Sequence, residues 1–315
     1  MTEAAPAGKG CFKRGCFGCL GVLGVGLIVV MVIALITLIR GTPEVVRESD
    51  QVAHDIPSGD WGDAATGEPL MVEQGQLGRV VLDISVASFR IIPAPAGTPV
   101  RLEANYDSGT YRLKERFEPS GELGWTYRLE FGKRSSFDFF TVDPDNRLDL
   151  YLPAGTPISL EGDLGIGQFK LELGGLWIDS VNLDTGVGEH QIEFDEPLVA
   201  AMKEFNVDGS IGELSVRGLG NASPANAHVD HSIGEVFVDL RGAWQNDSEI
   251  YVGSSIGECR VNLPSEGVGV VLRGGSVTLG ESDTRRARSR GAAPEGAPVL
   301  QITARHTIGE LRFTE

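Results

Sequence analysis

The chain has 315 residues, of which 27 are basic and 44 acidic, so its formal net charge is −17. Such a chain lacks the basic surface that binding to DNA or RNA requires, and we expect no nucleic-acid partner. Its four cysteines are too few for a disulfide scaffold. The charge is unevenly placed, because residues 1–40 carry a net +3 and the remainder a net −20.

Residues 17–39 form an uncharged apolar stretch, FGCLGVLGVGLIVVMVIALITLI. As a helix rising about 1.5 Å per residue, it would span a hydrocarbon layer of roughly 30 Å. Basic residues precede it and acidic residues follow it, so the positive-inside rule predicts a cytoplasmic tail (1–16) and a C-terminal domain outside the cytoplasm. The alternative is a cleavable signal peptide, whose apolar region is usually only about 7–15 residues long. We therefore predict a single-pass signal anchor in the cell membrane.

Three cysteines, Cys11, Cys16 and Cys19, lie beside or at the start of this stretch. A closed zinc site needs four ligands, and no histidine is near. Acylation beside the membrane and small apolar residues at a membrane boundary are the other two interpretations. Residues 40–75, rich in Pro, Gly and acids, predict a solvated linker.

The rest of the chain repeats. Six segments align on one glycine, at Gly167, Gly188, Gly212, Gly234, Gly257 and Gly309, and the first four steps are 21, 24, 22 and 23 residues. The last gap of 52 residues has room for a degenerate repeat around Gly275 and an inserted loop at about 280–298. An earlier stretch, 82–92, fits the pattern with Ala87 at the glycine position.

Apolar residues alternate with polar ones on both sides of each glycine, which indicates short strands with one buried face. A repeat of about 22 residues with two or three such strands predicts one coil of a parallel β-solenoid over 161–315, with the glycine at a corner. The Ile or Val before each glycine should then face the core. Residues 76–160, with a hairpin around 119–124, predict an N-terminal β-cap. An antiparallel sandwich is the alternative fold.

The lead-in LYLPAGTPISLEGDLGIGQFKLELGGL and the recurrent S-I-G-E corners resemble two bacterial envelope families over about residues 80–315. One is the family called "putative adhesin", and the other is the toast-rack domain of cell-wall-active antibiotic response proteins. The resemblance implies solenoid-like β structure, an envelope location, and adhesion or stress sensing. It implies no catalytic residues.

Catalytic and metal motifs are weak. Gly253–Gly257 reads G-x-S-x-G, but a nucleophile elbow needs a helix to follow, and the same letters recur in the other coils. The histidines show no metal-ligand spacing. We therefore expect no catalytic residue, no cofactor and no metal.

An acidic column follows the corners. The residue after the glycine is Glu189, Glu213, Glu235, Glu258 and Glu310, and these should stack in a solenoid. Carboxylates about 5 Å apart repel by about 1 kcal/mol in a water-like dielectric. The column is either a solvated face with splayed carboxylates or a stripe for divalent cations or a basic partner.

The predicted loop contains a basic cluster, Arg285, Arg286, Arg288 and Arg290. One interpretation is that the cluster binds an anionic polymer or a lipid surface. The other is a flexible loop that is open to proteolysis.

These features predict a membrane-anchored, non-catalytic interaction, adhesion or envelope-sensing module. Its partner would be an envelope polymer or another envelope protein. One alternative is a polysaccharide-active envelope enzyme built on a β-helix, which the low aromatic content of 7% disfavours. The other is a regulatory partner of a membrane signalling protein, for which the anchor would be essential.

Overall fold

The structure is a computed structural model that describes residues 54–55, 76–119, 124–134, 146–264, 267–290 and 293–315. All of them lie in one compact unit, Ser49–Glu315. Within these ranges, no helix combines the length and the apolar character needed to cross a membrane. The predicted tail 1–16, the predicted anchor 17–39 with the cysteines beside it, and most of the predicted linker 40–75 lie outside the described residues.

The described residues are almost entirely β structure, in one sheet. The strands are β1 (His54–Asp55), β2 (Gly78–Ala94), β3 (Arg101–Asn105), β4 (Tyr111–Pro119), β5 (Trp125–Lys133), β6 (Arg147–Pro153), β7 (Pro157–Glu172), β8 (Trp177–Glu193), β9 (Glu204–Arg217), β10 (Asn226–Asp239), β11 (Ser248–Asn262), β12 (Gly269–Asp283) and β13 (Val299–Thr314). The described residues also include two four-residue helices in connections, α1 (Leu219–Ala222) and α2 (Arg285–Arg288).

Each repeat adds one strand to a parallel ladder, which makes the fold solenoid-like. The order β2-β7-β8-β9-β10-β11 follows the chain, apart from the excursion through β3–β6. The prediction of two or three short strands per coil is wrong, because a single strand of 14–17 residues runs through the corner glycine. Strand pairing is present on both sides of the corner, with one position (Ser232 in β10) left out of the register just before it, so the corner interrupts the strand without ending it.

The core lies inside the coils. In β9, for example, Phe205, Val207, Leu214 and Val216 are at most 1% exposed, and they belong to one continuous hydrophobic cluster. The segments that return from one strand to the next also bond coil to coil, as in the Phe194 N–H donating to the Arg217 carbonyl at 2.9 Å. Strand and return segment therefore enclose the apolar side chains together.

The N-terminal end of the ladder is only partly a cap. Strand β2 is a full rung, with Ala87 opposite Gly167. Its other edge pairs in parallel with β5 along its first half and with β6 along its second half. Strands β4 and β3 add antiparallel hydrogen bonds to β5 and β6. Residues 54–55, within the predicted linker, pair with β3, so this part of the linker is β structure.

The C-terminal end reverses the strand order. The last strand, β13, lies between β11 and β12, so β12 is the edge strand although it comes earlier in the chain. The predicted degenerate repeat around Gly275 is strand β12, and its corner glycine is Gly280, which pairs with Gly309. Strand β12 continues to Asp283, so the connection to β13 begins at residue 284 and not at about 280.

Candidate interaction surface

The corner glycines are required by two separate constraints. Gly167, Gly188, Gly212, Gly234, Gly257 and Gly309 all have positive φ, between 124° and 153°, which disfavours any side chain. A Cβ at each would also lie 1.8–2.0 Å from a backbone carbonyl oxygen of the adjacent coil. The sequence repeat is therefore set by the backbone, and the glycines position the columns of side chains beside them.

A row of aliphatic side chains runs along the outside of the corner. The residue before the corner position is aliphatic in eight successive strands, and the eight pair in register. They are Val86, Ile166, Val187, Ile211, Ile233, Ile256, Ile308 and Leu279. The first six are half-buried, and the last two, Ile308 and Leu279, are 41% and 66% exposed. The prediction that these residues face the core is wrong; they form an outer apolar ridge.

The alternation of the strand explains this ridge. In β10, Val229 and His231 face inward before the corner, and Val236 does so after it. Inward positions 231 and 236 are an odd number of residues apart, so the alternation slips by one across the corner. Ile233 belongs to the phase that follows the slip, in which its position faces outward.

A glutamate ladder borders the ridge. Glu189, Glu213, Glu235, Glu258 and Glu310 lie in register, and Gln168 precedes them. Glu281 of β12 extends the ladder; the predicted column did not include it, because no corner glycine was assigned in the degenerate repeat around Gly275. Glu258 accepts a hydrogen bond from Arg260 at 2.6 Å, and Glu310 pairs with Arg312. Among the described residues, Glu213 and Glu235 have no ion pair.

A second acidic ladder, missed by the sequence analysis, lies four residues before the corner. Asp83, Asp163, Asp184, Asp208 and Asp230 occupy five successive strands in register. Asp184 is exposed, but partial desolvation and the charges of Asp163 and Asp208 raise the pKa of its carboxyl group. The signal was visible in the sequence, since four of the aligned segments carry Asp at this position: DLGIG, DTGVG, DGSIG and DHSIG.

Beside this aspartate ladder, the outer face forms a groove of about 730 Å³. Its floor includes Asn206, His228 and Tyr251, which are neighbours in the register of β9, β10 and β11. The His228 and Tyr251 rings stack, with centroids 4.6 Å apart and planes 7° apart. His228 Nε2 lies 3.9 Å from Asp208 Oδ1. Imidazole, carboxylate and amide groups thus meet on one open face.

The predicted basic cluster is largely engaged with the chain itself. Arg285 pairs with Asp283 at 2.8 Å, and Arg286 pairs with Glu315 at 3.3 Å. Arg290 donates to the Pro264 carbonyl oxygen at 2.5 Å. The short helix α2 begins at Arg285 and ends at Arg288. These contacts reduce the positive charge that the cluster offers to a ligand, and they bring it close to the edge strand.

Three histidines and one cysteine point into the core. His190, at 3% exposure, stacks on Phe169, and burial lowers its pKa to about 4. The Nε2 atoms of His231 and His306 lie 3.2 and 3.0 Å from the carbonyl oxygens of corner glycines. Burial raises the pKa of Cys259 to about 12. These groups are enclosed and are structural rather than ligand-binding.

Residues 74–217 match the family model described as the N-terminal domain of toast_rack, DUF2154. This part of the chain is therefore similar to a toast-rack domain. It comprises strands β2–β9, and the ridge and both ladders begin within it and continue beyond it. The lead-in and the first S-I-G-E corner, which carried the resemblance in the sequence, both lie within the residues that match the family model. No curated protein matches the chain significantly.

Two solved structures are similar to this chain. One is described as a "putative cell adhesion protein" from Clostridium sporogenes, with 13% identity, coverage of 78% of this chain and 96% of that chain, and a TM-score of 0.41. The other is described as a "putative adhesin" from Bacteroides fragilis, with 13% identity, coverage of 76% and 94%, and a TM-score of 0.33.

Proposed function

We propose that this protein is a membrane-anchored, extracytoplasmic interaction module that binds another envelope protein along its corner. One observation carries the proposal: a continuous row of eight aliphatic side chains, none fully buried, lies in register along the outside of the fold. Contiguous exposed apolar surface is typical of interaction sites. At about 4.8 Å between strands, the ridge is roughly 34 Å long.

The glutamate ladder beside the ridge defines the chemistry of the partner. Glu213 and Glu235, with no ion pair among the described residues, lie next to Ile211 and Ile233 across the corner glycines. A surface of this kind attracts a segment that is apolar on one side and basic on its flank, and it repels anionic polymers. An amphipathic helix of about 22 residues has the length of the ridge. An envelope protein therefore fits better than an anionic envelope polymer.

The location rests on the sequence. The apolar stretch 17–39 and the positive charge before it are the features that support an N-terminal anchor with the domain outside the cytoplasm. The ridge supports a binding role and not a catalytic one, since aliphatic side chains supply no acid, base or nucleophile. This distinguishes the proposal from the polysaccharide-active alternative.

Site-specific photo-crosslinking in the native cell tests the proposal. A benzophenone side chain at Ile233 should give a discrete adduct with one envelope protein. The adduct should be lost when Glu213 and Glu235 are both replaced by Lys. The matched control is the same side chain at Val199, which is 57% exposed in a connection away from the corner. Equal adducts at positions 233 and 199, or an adduct that resists the charge reversal, would contradict the proposed surface.

A second experiment, with purified cell wall, distinguishes a protein partner from an anionic polymer partner. Purified wall sacculi should not sediment the full chain more strongly than the Ile233→Ser variant does. Strong sedimentation that depends on Ile233 would instead indicate an envelope polymer.

A further inference from the structure

We propose that Asp208, His228 and Asp230 bind one transition-metal ion, with Zn²⁺ as the reference ion. Each residue offers one donor atom, and the three donor atoms all lie within 4.8 Å of one another. The inference goes beyond the proposed function, because it needs neither the ridge nor a protein partner. It also departs from the expectation, drawn from sequence spacing, that no metal is bound.

The sheet register assembles these donors. His228 and Asp230 are two residues apart on β10 and therefore project from the same face. Asp208 is the register partner of Asp230 on the neighbouring strand β9. Strand pairing thus places two carboxylates and an imidazole side by side, although the sequence separates Asp208 from Asp230 by 22 residues. A search for short metal motifs does not detect such a set.

The surrounding residues orient the donors and keep space for them. The His231 backbone N–H donates to Asp230 Oδ1 at 2.9 Å, which orients that carboxylate. Tyr251 stacks on the His228 ring and fixes its plane. Gly253 is the register partner of Asp230 on β11, and a Cβ there would lie 2.5 Å from Asp230 Oδ1 and 2.9 Å from Tyr251 Cε1. Gly253 does not have a positive φ, so backbone conformation does not require glycine at this position. The lack of space for a Cβ does.

The donor types select the ion. One imidazole and two carboxylates suit Zn²⁺ and other first-row ions, whereas Ca²⁺ takes six to eight oxygen ligands. Donors around a tetrahedral Zn²⁺ with bonds of about 2.0–2.1 Å lie roughly 3.3 Å apart. His228 Nε2 and Asp208 Oδ1 are 3.9 Å apart, and all three donor atoms lie within 4.8 Å of one another, so binding would need side-chain rotations that draw the three donors together. A cation there would also offset the repulsion within the aspartate ladder.

Three protein donors leave one position of a tetrahedral ion open to the groove. Asp208 and His228 both line that groove, so water or an anionic group of a ligand would occupy the fourth position. The ion would therefore lie at the protein surface, where it can be taken up from solution and released into it.

Calorimetric titration of the metal-free full chain with ZnCl₂ tests the inference. We expect one site per chain. His228→Asn and Asp230→Asn should each weaken Zn²⁺ binding at least tenfold. Loss of a residue that only supports a metal ligand already costs about tenfold in affinity. The matched control is Asp163→Asn, which removes the same charge from the same ladder and should leave the affinity unchanged. Thermal melting without metal checks that each variant is folded.

Two further readouts make the test independent of affinity alone. Co²⁺ in place of Zn²⁺ should give visible absorption bands that disappear in His228→Asn. A tenfold excess of CaCl₂ should not displace Zn²⁺. The inference is overturned if no site is found, if Asp163→Asn weakens binding as much as His228→Asn, or if Ca²⁺ competes equally.

Discussion

A Cβ atom at residue 234 would lie 1.9 Å from the carbonyl oxygen of Gly212, the corner glycine of the preceding coil. The same close approach recurs from coil to coil, because each corner stacks on the last. The corner column is therefore a line of backbone contacts with no room for side chains. This tight line turns each strand and sets the ridge and the glutamate ladder on its two sides.

Gly234→Ala should destabilise the fold by on the order of 3 kcal/mol or more, since it adds a steric overlap to the strain of a positive φ. The control is Gly296→Ala, because Gly296 has a φ of +80° but no atom within 4 Å of an added Cβ. That variant should lose only about 1 kcal/mol. Urea denaturation measures both. Similar losses would show that the corner contact is looser than described.

The buried histidines should make the fold sensitive to mild acid. Burial lowers the pKa of His190 from 6.5 to about 4 and also lowers that of His231. The unfolded chain therefore binds protons first, so stability is complete above about pH 6.5 and falls as the pH falls towards 4. For His190 the loss approaches about 3 kcal/mol.

His190→Leu isolates this contribution, since Leu214 occupies the same position in the next coil. Unfolding free energies at pH 7 and pH 5 should differ less in this variant than in the wild type. Phe205→Leu, at an equally buried position that carries no titratable group, should leave the difference unchanged. A wild-type stability that is flat between pH 7 and pH 5 would contradict the buried, neutral state of His190.

Glu235→Gln should be neutral or mildly stabilising. Glu235 lies between Glu213 and Glu258 in the ladder, and each carboxylate pair is worth at most about 1 kcal/mol of repulsion. The gain in melting temperature should shrink as salt is raised. Glu258→Gln is the control, because Glu258 also pairs with Arg260 at 2.6 Å and should gain less. A salt-independent loss in Glu235→Gln would show a specific bond to this carboxylate.

Asp184→Asn should stabilise the fold at neutral pH. Partial desolvation and the charges of Asp163 and Asp208 raise the pKa of the exposed Asp184, so its ionisation opposes folding. A raised carboxyl pKa favours the folded state at low pH, and this advantage is lost as the pH rises through the range of the pKa. The gain from Asn should therefore be present at pH 7 and should vanish below about pH 4. A loss of stability at pH 7 would contradict the repulsive ladder.

The repeat and its register could be predicted from the sequence because glycine is required at each corner by both φ and contact. Every other column follows from that alignment, including the stacked glutamates. The orientation of Ile233 could not be predicted in the same way, since strict alternation places it inward. Only the slip across the corner, a backbone effect, turns it outward.

The end of the ladder escaped prediction for a topological reason. Strand β13 inserts between β11 and β12, so chain order no longer gives spatial order. Strand β12, as the edge, has few buried positions, so its weak apolar pattern indicated a degenerate repeat around Gly275 without fixing its corner glycine. The site of Asp208, His228 and Asp230 depends on pairing between strands, which no local motif encodes.

Cysteine labelling on intact cells tests the central claim most directly: an apolar ridge faces outward on a domain that lies outside the cytoplasm. In a chain with Cys11, Cys16 and Cys19 replaced by Ser, Cys259 is fully buried and can remain. A maleimide that does not cross the plasma membrane should label Ile233→Cys. It should not label Val229→Cys, whose position on the same strand is 0% exposed. Labelling at 233 only after lysis, or equal labelling at 229 and 233, would contradict the account.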